Sequence, residues 1–390
     1  MTDRLNKILD KFVHLYGDEP DLIARGPGRV DLMGIHTDYN EGFVLPIAVN
    51  FDVWSAVRKR PDDKFLVYSE NFESQVEFSL GHIPYDKSAT WSNYVRGVVF
   101  HLRDAEVKLG GVDMLIDGNV PIAAGLSSSA AIEMAVAYAL QQLFGFEMSA
   151  SDLAVIGQKA ENKFVGINTG IMDQFASRLG KKDHALFLDC RTLEYELVPL
   201  DTESYKILVC DTGKKRGLVD SEYNTRRSQC EEAVRMFAQW KPGVKALRDV
   251  QPDDFEQWKD RLPEVIRKRA EHIIYENARV LKAHDVLNVG DLRAFGCLMN
   301  ASHNSARDLY EVSCSELEAM VAASRAVDGV LSARLAGAGF GGCTVSLVPN
   351  AIVDEFIHRV SKDYQARTDL NPSIYVCSAE DGASVVWKRK

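Results

Sequence analysis

Apolar positions recur at helical spacing through "DRLNKILDKFVHLY", residues 3 to 16, and predict an amphipathic first helix. The period then shortens. "DLIARGPGRVDLMG" reads as strand interrupted by glycine and proline, "FDVWSAVRKR" as a further strand, and β segments follow near residues 64 to 80. "WSNYVRGVVFHLRDA" is helical in pattern and "GVDMLIDGNVP" is a strand. A glycine and three serines then open an apolar helix from about 128 to 144. "SASDLAVIGQKAENKFVG", with Ser149 or Ser151 near its start, and "TGIMDQFASRLG" predict two more helices, before strands resume at "HALFLDC" and "YKILVCDTG". Residues 221 to 330 are mainly helical in pattern; "VLSARLAG", a glycine loop and "CTVSLVP" return to strand. Because this order is not a regular βαβ alternation, it predicts an α+β architecture in two lobes, residues 1–200 and 201–390.

Composition narrows the functional classes. The 390 residues are 46% apolar and 26% charged, enough for a large core, and no repeat or low-complexity tract occurs. A net charge of -10 disfavours a nucleic-acid partner, which would need a basic face. Seven widely spaced cysteines without a CxxC pair indicate neither a disulfide framework nor a zinc site. The charged opening "MTDRLNKILDKFVHLYGDEP" has no secretory apolar region and no later run approaches membrane-spanning length, so a cytoplasmic protein without a membrane partner is expected.

Three stretches carry candidate chemistry. In "PIAAGLSSSAAIEMAVAYAL", Gly125, Leu126, Ser127, Ser128 and Ser129 place more hydroxyl and open backbone at a helix start than one N-cap needs. The segment is either a well-capped core helix or an anion loop using the positive end of the helix dipole. "GAGFGG", residues 337 to 342, spells GxGxxG. A β-branched, alternating segment follows it where a dinucleotide fold needs a helix, so it reads as a tight loop between strands. "PGRVDLMGIHTDYNEG" crowds Arg29, Asp31, His36, Asp38 and Asn40 among apolar neighbours; it is a hydrogen-bonded surface turn or part of a site. Asp173 and Glu161 are open in the same way, each being explicable as an ordinary helical acid.

Taken in order, "PGRVDLMGIHTDYNEGFVLP", "PIAAGLSSSAAIE", "GIMDQFAS", "SEYNTRRSQCEEA" and "RLAGAGFGGCTV" resemble the galactokinases of the GHMP group of small-molecule kinases. The resemblance runs from about residue 25 to the C-terminal region. It implies a two-lobed GHMP kinase fold with the active site between the lobes, and transfer of the γ-phosphoryl group of MgATP to the anomeric hydroxyl of a galactose-like sugar. It further implies that Gly125 to Ser129 hold the nucleotide phosphates, that Ser129 and Glu161 bind Mg²⁺, and that Trp91 flanks the adenine. Asp173 matches the acid beside the attacking hydroxyl and Arg29 the cation beside it. Ile35, His36, Asp38, Gly170 and Tyr223 match sugar-contacting positions, and a monomer is expected.

The chain also departs from the family. Ile35 stands where galactokinases carry glutamate in "GEHTDY", Asn168 and Thr169 replace Pro-Cys before "GIMDQ", and Ala336 replaces a common threonine. Galactose is the expected substrate. Ile35 leaves open a kinase for a relative altered at carbon 6, such as L-arabinose, D-fucose or D-galacturonate, the last with Lys214, Lys215 and Arg216 as a counter-charge. A catalytically silent sugar sensor is the alternative of another class, and the intact "SSSAA" argues against it.

Overall fold

In the computed structural model, residues 2–121, 125–214 and 219–390 are described. The strands are β1 (Leu22–Met33), β2 (Phe43–Lys59), β3 (Lys64–Ser69), β4 (Ser74–Ser79), β5 (Val112–Gly118), β6 (His184–Asp189), β7 (Tyr195–Pro199), β8 (Tyr205–Asp211), β9 (Ser332–Ala336), β10 (Cys343–Pro349), β11 (Ser373–Cys377) and β12 (Ser384–Lys388). The helices are α1 (Thr2–Tyr16), α2 (Ser92–Asp104), α3 (Ser128–Phe144), α4 (Ala150–Lys159), α5 (Met172–Leu179), α6 (Val219–Trp240), α7 (Pro252–Trp258), α8 (Glu264–Asn288), α9 (Leu292–Ser305), α10 (Ser315–Arg325) and α11 (Val353–Thr368).

One lobe is built on an eight-stranded sheet in the order β12-β1-β2-β5-β3-β4, with β6 pairing β2 and β7 pairing β6. Its pairs are antiparallel except β3 with β5. The other lobe carries the antiparallel sheet β11-β8-β10-β9. Most predicted elements fall where expected. The sequence reading predicts no element for β7, α11, β11 or β12, and the last of these returns from the far end of the chain to pair with β1.

The glycines that interrupt β1 do not break it. A β-carbon on Gly26 would sit 2.3 Å from the Ala131 carbonyl oxygen, and one on Gly28 would sit 2.5 Å from that of Leu126. Their absence lets α3 lie directly on the strand at Gly26 and the serine loop at Gly28. That helix is alanine-rich and its middle, from Ala130 to Leu140, is largely buried, Glu133 included, so it is apolar over most of its surface rather than on one stripe. On the outer side of the sheet, Ile8 and Phe12 of α1 pack with Ile23, Trp54 and Leu115. After α4 the chain continues as a π-helical turn, Ala160–Val165, which carries Glu161; wide turns of this kind often mark functional positions.

The two lobes share a continuous apolar cluster, in which Leu32, Met33 and Val44 of one lie with Val280, Ala336 and Val345 of the other, and a buried ion pair crosses between them. Arg334 of β9 and Asp31 of β1 are both buried and lie 3.1 Å apart, and Arg334 also donates to the Leu32 carbonyl. Among the described residues no helix is long and apolar enough to cross a membrane.

Candidate functional site

The loop from β1 to β2 turns sharply because Gly34 has φ +100° and His36 φ +63°, with a short 3-10 turn at Asp38–Asn40 behind them. Thr37 donates to the Gly34 carbonyl at 2.8 Å and Asn40 to that of His36 at 2.9 Å, while Arg29, Asp31 and His36 find partners outside the loop, at Asp173, Arg334 and Ala338. The same loop faces a cavity of about 420 Å³ between the lobes. The stretch is therefore not a surface turn: Asp31, His36 and Asn40 are buried, and the loop lines the cavity.

Every residue predicted for the site lines that cavity, Trp91 excepted. Arg29, nearly buried, grips Asp173 with two prongs, Nε to Oδ1 at 2.6 Å and Nη2 to Oδ2 at 2.7 Å, and gives Nη1 to the Gly125 carbonyl at 2.7 Å. Burial opposes the charge of the guanidinium, but Asp173 outweighs it and keeps Arg29 protonated. Ser127, held at φ +52°, donates its hydroxyl to Asp173 Oδ2. The first of the three serines is thus an Asp173 partner, a contact the sequence reading did not foresee. Ser129 bonds Glu161, and Ser128 lines both this cavity and a second one.

Glu161 is buried, and burial together with Asp173 raises its pKa. Its Oε2 accepts from Thr169 Oγ1 at 3.0 Å and from Gln174 Nε2 at 2.8 Å. Gln174 also donates to Glu133, itself fully buried, whose pKa is pushed well above the usual range by burial and by Glu161. Thr169, one of the departures from the family pattern, thus supplies a direct hydrogen bond to this acid.

Asp38 faces Asp173 across the cavity; burial and that neighbour raise its pKa to about 6. His36 Nε2 lies 3.2 Å from the Ala338 carbonyl, which can only accept, so the proton is assigned to Nε2 and Nδ1 accepts from Tyr39 at 2.9 Å. Burial lowers the His36 pKa to about 3, so the ring is neutral. Tyr223 of α6 stands beside His36 at 5.4 Å between ring centroids. Ile35 sits in an apolar cluster with Cys230, Phe237 and Tyr310 and also lines the cavity.

The second cavity, about 470 Å³, adjoins the first through Ser128, Ser129 and Ile167. Trp91 is in its wall, parallel to Phe72 with centroids 6.0 Å apart, and donates its indole N–H to Ser74 at 3.1 Å. Apolar Ile132, Val165 and Tyr85 complete a slot suited to a flat ring.

"GAGFGG" joins the antiparallel strands β9 and β10, as its sequence context predicts. Gly339 has φ +79°, and a β-carbon there would meet the Val312 carbonyl at 2.3 Å. Gly337, Gly341 and Gly342 also have positive φ, so all four glycines serve the turn and Gly339 serves close packing as well. Of the basic run, Lys214 is paired with Glu316 at 2.7 Å, and Lys215 and Arg216 lie outside the described residues. Sequence reasoning missed Glu276, whose Oε1 accepts from the backbone N–H of Gly34 and Ile35. A charged residue placed among the buried positions His272, Ile273 and Val280 of α8 was the available signal.

The chain matches the family descriptions "GHMP kinases N terminal domain" over residues 93–181, "Galactokinase galactose-binding signature" over 10–59 and "GHMP kinases C terminal" over 281–366. It is 45% identical over 380 residues to a galactokinase of Roseiflexus sp. (strain RS-1), covering 97% of each chain. It is 46% identical over 364 residues to one of Fusobacterium nucleatum, covering 92% of this chain and 94% of that one. Among solved structures it superposes on Lactococcus lactis galactokinase complexed with galactose with a TM-score of 0.93 at 37% identity, over 97% of this chain and 99% of that one.

Proposed function

Since this chain belongs to the galactokinase family of the GHMP kinases and is an ATP-dependent kinase for the anomeric hydroxyl of galactose, we propose a division of labour among the residues of its interlobe cavity. Asp173 receives the anomeric O–H. Its Oδ2 is occupied by Arg29 and Ser127, whereas Oδ1 takes only one bond from Arg29 and keeps an open lone-pair position for the sugar hydroxyl. As that oxygen attacks the γ-phosphorus its proton passes to Oδ1, and the bond from phosphorus to the bridging oxygen of ADP breaks. Arg29 offsets the charge shared by Asp173 and the transferring group. The two-pronged Arg29–Asp173 pair beside the serine loop is the observation that carries this reading.

Gly125 to Ser129 hold the phosphates at the N-terminus of α3, and Trp91 flanks the adenine in the adjoining slot. Ser129 and Glu161 fit Mg²⁺: two hard oxygen donors, hydrogen-bonded to each other, face the same cavity. Held there by Ser129 and Glu161, the ion would supply positive charge that offsets the negative charge of the transferring phosphates. His36, Asp38, Gly170, Tyr223 and Ile35 form the sugar side. With isoleucine in place of glutamate, the pocket near carbon 6 is apolar and tolerates sugars without a 6-hydroxyl. The remaining parts of the reading are a division into lobes near residue 200, a monomer, a cytoplasmic location, and neither nucleic-acid nor membrane partner.

The test is a coupled ADP-release assay with galactose, L-arabinose, D-fucose and D-galacturonate. Turnover of galactose that depends on Asp173 and Mg²⁺ supports the assignment. Galactose turnover undiminished in Asp173→Asn overturns it.

A further inference from the structure

Glu276 is the least expected charge in the molecule. It is fully buried on α8 and does not line the cavity, yet it carries a full complement of donors. Oε1 accepts from Ser302 Oγ at 2.6 Å and from the backbone N–H of Gly34 at 3.2 Å and Ile35 at 3.4 Å; Oε2 accepts from Arg279 Nε at 2.7 Å. Successive N–H groups at a turn with a left-handed residue converge into a nest for an anion. Here the anion comes from the opposite lobe.

The rest of the α8 face acts on the same loop. His272 Nε2 donates to the Ile35 carbonyl at 3.1 Å, and its Nδ1 accepts from Ser305 at 2.9 Å. Asn277 Oδ1 accepts from the Phe43 N–H at 3.0 Å, where the loop enters β2. Three residues of one helix thus hold the start and the end of the segment that carries His36 and Asp38. Burying a carboxylate contributes little or nothing to stability compared with a well-packed apolar side chain. Its presence is accounted for by what it holds.

We propose that Glu276 is a positioning residue for galactose binding, which fixes the Gly34–Asn40 loop from the second lobe through the Gly34 and Ile35 N–H groups. The proposal rests on the assignment of that loop to the sugar. Burial opposes the Glu276 charge, but Arg279 above all outweighs it and holds the carboxyl near 2, so the grip persists at every working pH. The side chain of Ile35 can then serve packing and the sugar pocket, because its backbone alone anchors the turn.

Glu276→Gln keeps the shape and removes the charge. Galactose KM is expected to rise tenfold or more while ATP KM stays within about twofold, and galactose Kd measured calorimetrically without nucleotide should rise in parallel. Arg279→Gln, on the partly exposed side of the carboxylate, should shift galactose KM in the same direction by about threefold, and it decides the matter if Glu276→Gln does not fold. Leu287→Ala, which loosens the same helix away from the loop, controls for general destabilisation. Equal changes in both substrate KM values, or a rise in galactose KM in Leu287→Ala matching that of Glu276→Gln at similar Tm, overturns the proposal. Asp38→Asn tests the premise separately: if it leaves galactose KM unchanged, the loop is not the sugar site, whatever Glu276 does.

Discussion

The Asp38 carboxylate lies against the backbone of Gly170, so closely that a β-carbon there would sit 1.8 Å from Oδ2 and 2.9 Å from Asp38 Cβ. Two segments far apart in sequence therefore meet at a point where only hydrogen fits. Gly170→Ala must displace Asp38 or its loop. Galactose KM is expected to rise tenfold or more with ATP KM within about twofold, as steady-state kinetics in both substrates will show.

Asp38 also links sugar binding to pH. Its pKa stands at about 6 against an ordinary 3.8, so between those values the folded protein binds more protons at this group than the unfolded chain. By linkage, its contribution to stability is fully present below about pH 4 and is lost as pH rises through 6. Asp38→Asn should therefore stabilise the protein at pH 7, by an upper bound of about 3 kcal/mol, visible as a higher denaturation midpoint. The wild-type galactose KM should climb as pH falls below about 6, where the carboxyl stops accepting from sugar hydroxyls. A midpoint unchanged at pH 7 would show that burial and Asp173 do not disfavour the Asp38 charge as described.

For the reacting pair, Asp173→Asn is expected to lower kcat by about a hundredfold or more with nucleotide affinity nearly unchanged. Ser127→Ala removes one of the three hydrogen bonds on Asp173 and should cost less, about tenfold in kcat. Single-turnover kinetics separate these effects from product release.

Glu161→Gln and Ser129→Ala should both raise the Mg²⁺ concentration needed for half-maximal rate and depress kcat. Thr169→Val, which removes a hydrogen bond to Glu161 but no ion ligand, should move the Mg²⁺ requirement less than either. Titration of activity with Mg²⁺ at fixed ATP gives the comparison. Unchanged metal dependence in both of the first two variants removes them from the ion site.

Ile35 offers no acceptor to a 6-hydroxyl, and a lost hydrogen bond to a charged group is worth about 1.5–3 kcal/mol. L-Arabinose and D-fucose should accordingly lie closer to galactose in kcat/KM than if a carboxylate stood there, by roughly ten- to a hundredfold. Ile35→Glu should restore the preference for galactose. The added carboxylate enters a cluster with Phe237 and Tyr310, so the variant's stability must be measured alongside. A preference for galactose over D-fucose above about a hundredfold, unchanged in Ile35→Glu, rules the idea out.

What the sequence by itself determined follows from local physics. The period of apolar residues marked α1, α2 and most strands, because one side of each must face a core, and α3 was marked by its unbroken apolar run after the serines. The serine run and the "GIHTDY" loop stood out because glycine, hydroxyl and acid residues concentrate where backbone is exposed or turned, whereas Asp173, an ordinary acid in a first helical turn, was singled out only by the family resemblance. The context of "GAGFGG" excluded a dinucleotide loop for the same local reason: strand, not helix, follows it.

Only the tertiary structure decided the partners. Ser127 turning to Asp173, the buried Arg334–Asp31 bridge, β12 closing on β1 and Glu276 reaching the Gly34 and Ile35 N–H groups all join residues dozens to hundreds of positions apart. No periodicity or spacing announces such contacts, because the free energy that justifies burying each group comes from an atom the local chain does not contain. The sequence could name which residues were unusual; which of them share a hydrogen bond was settled by packing within the first lobe for Ser127 and β12 and between the two lobes for Arg334 and Glu276.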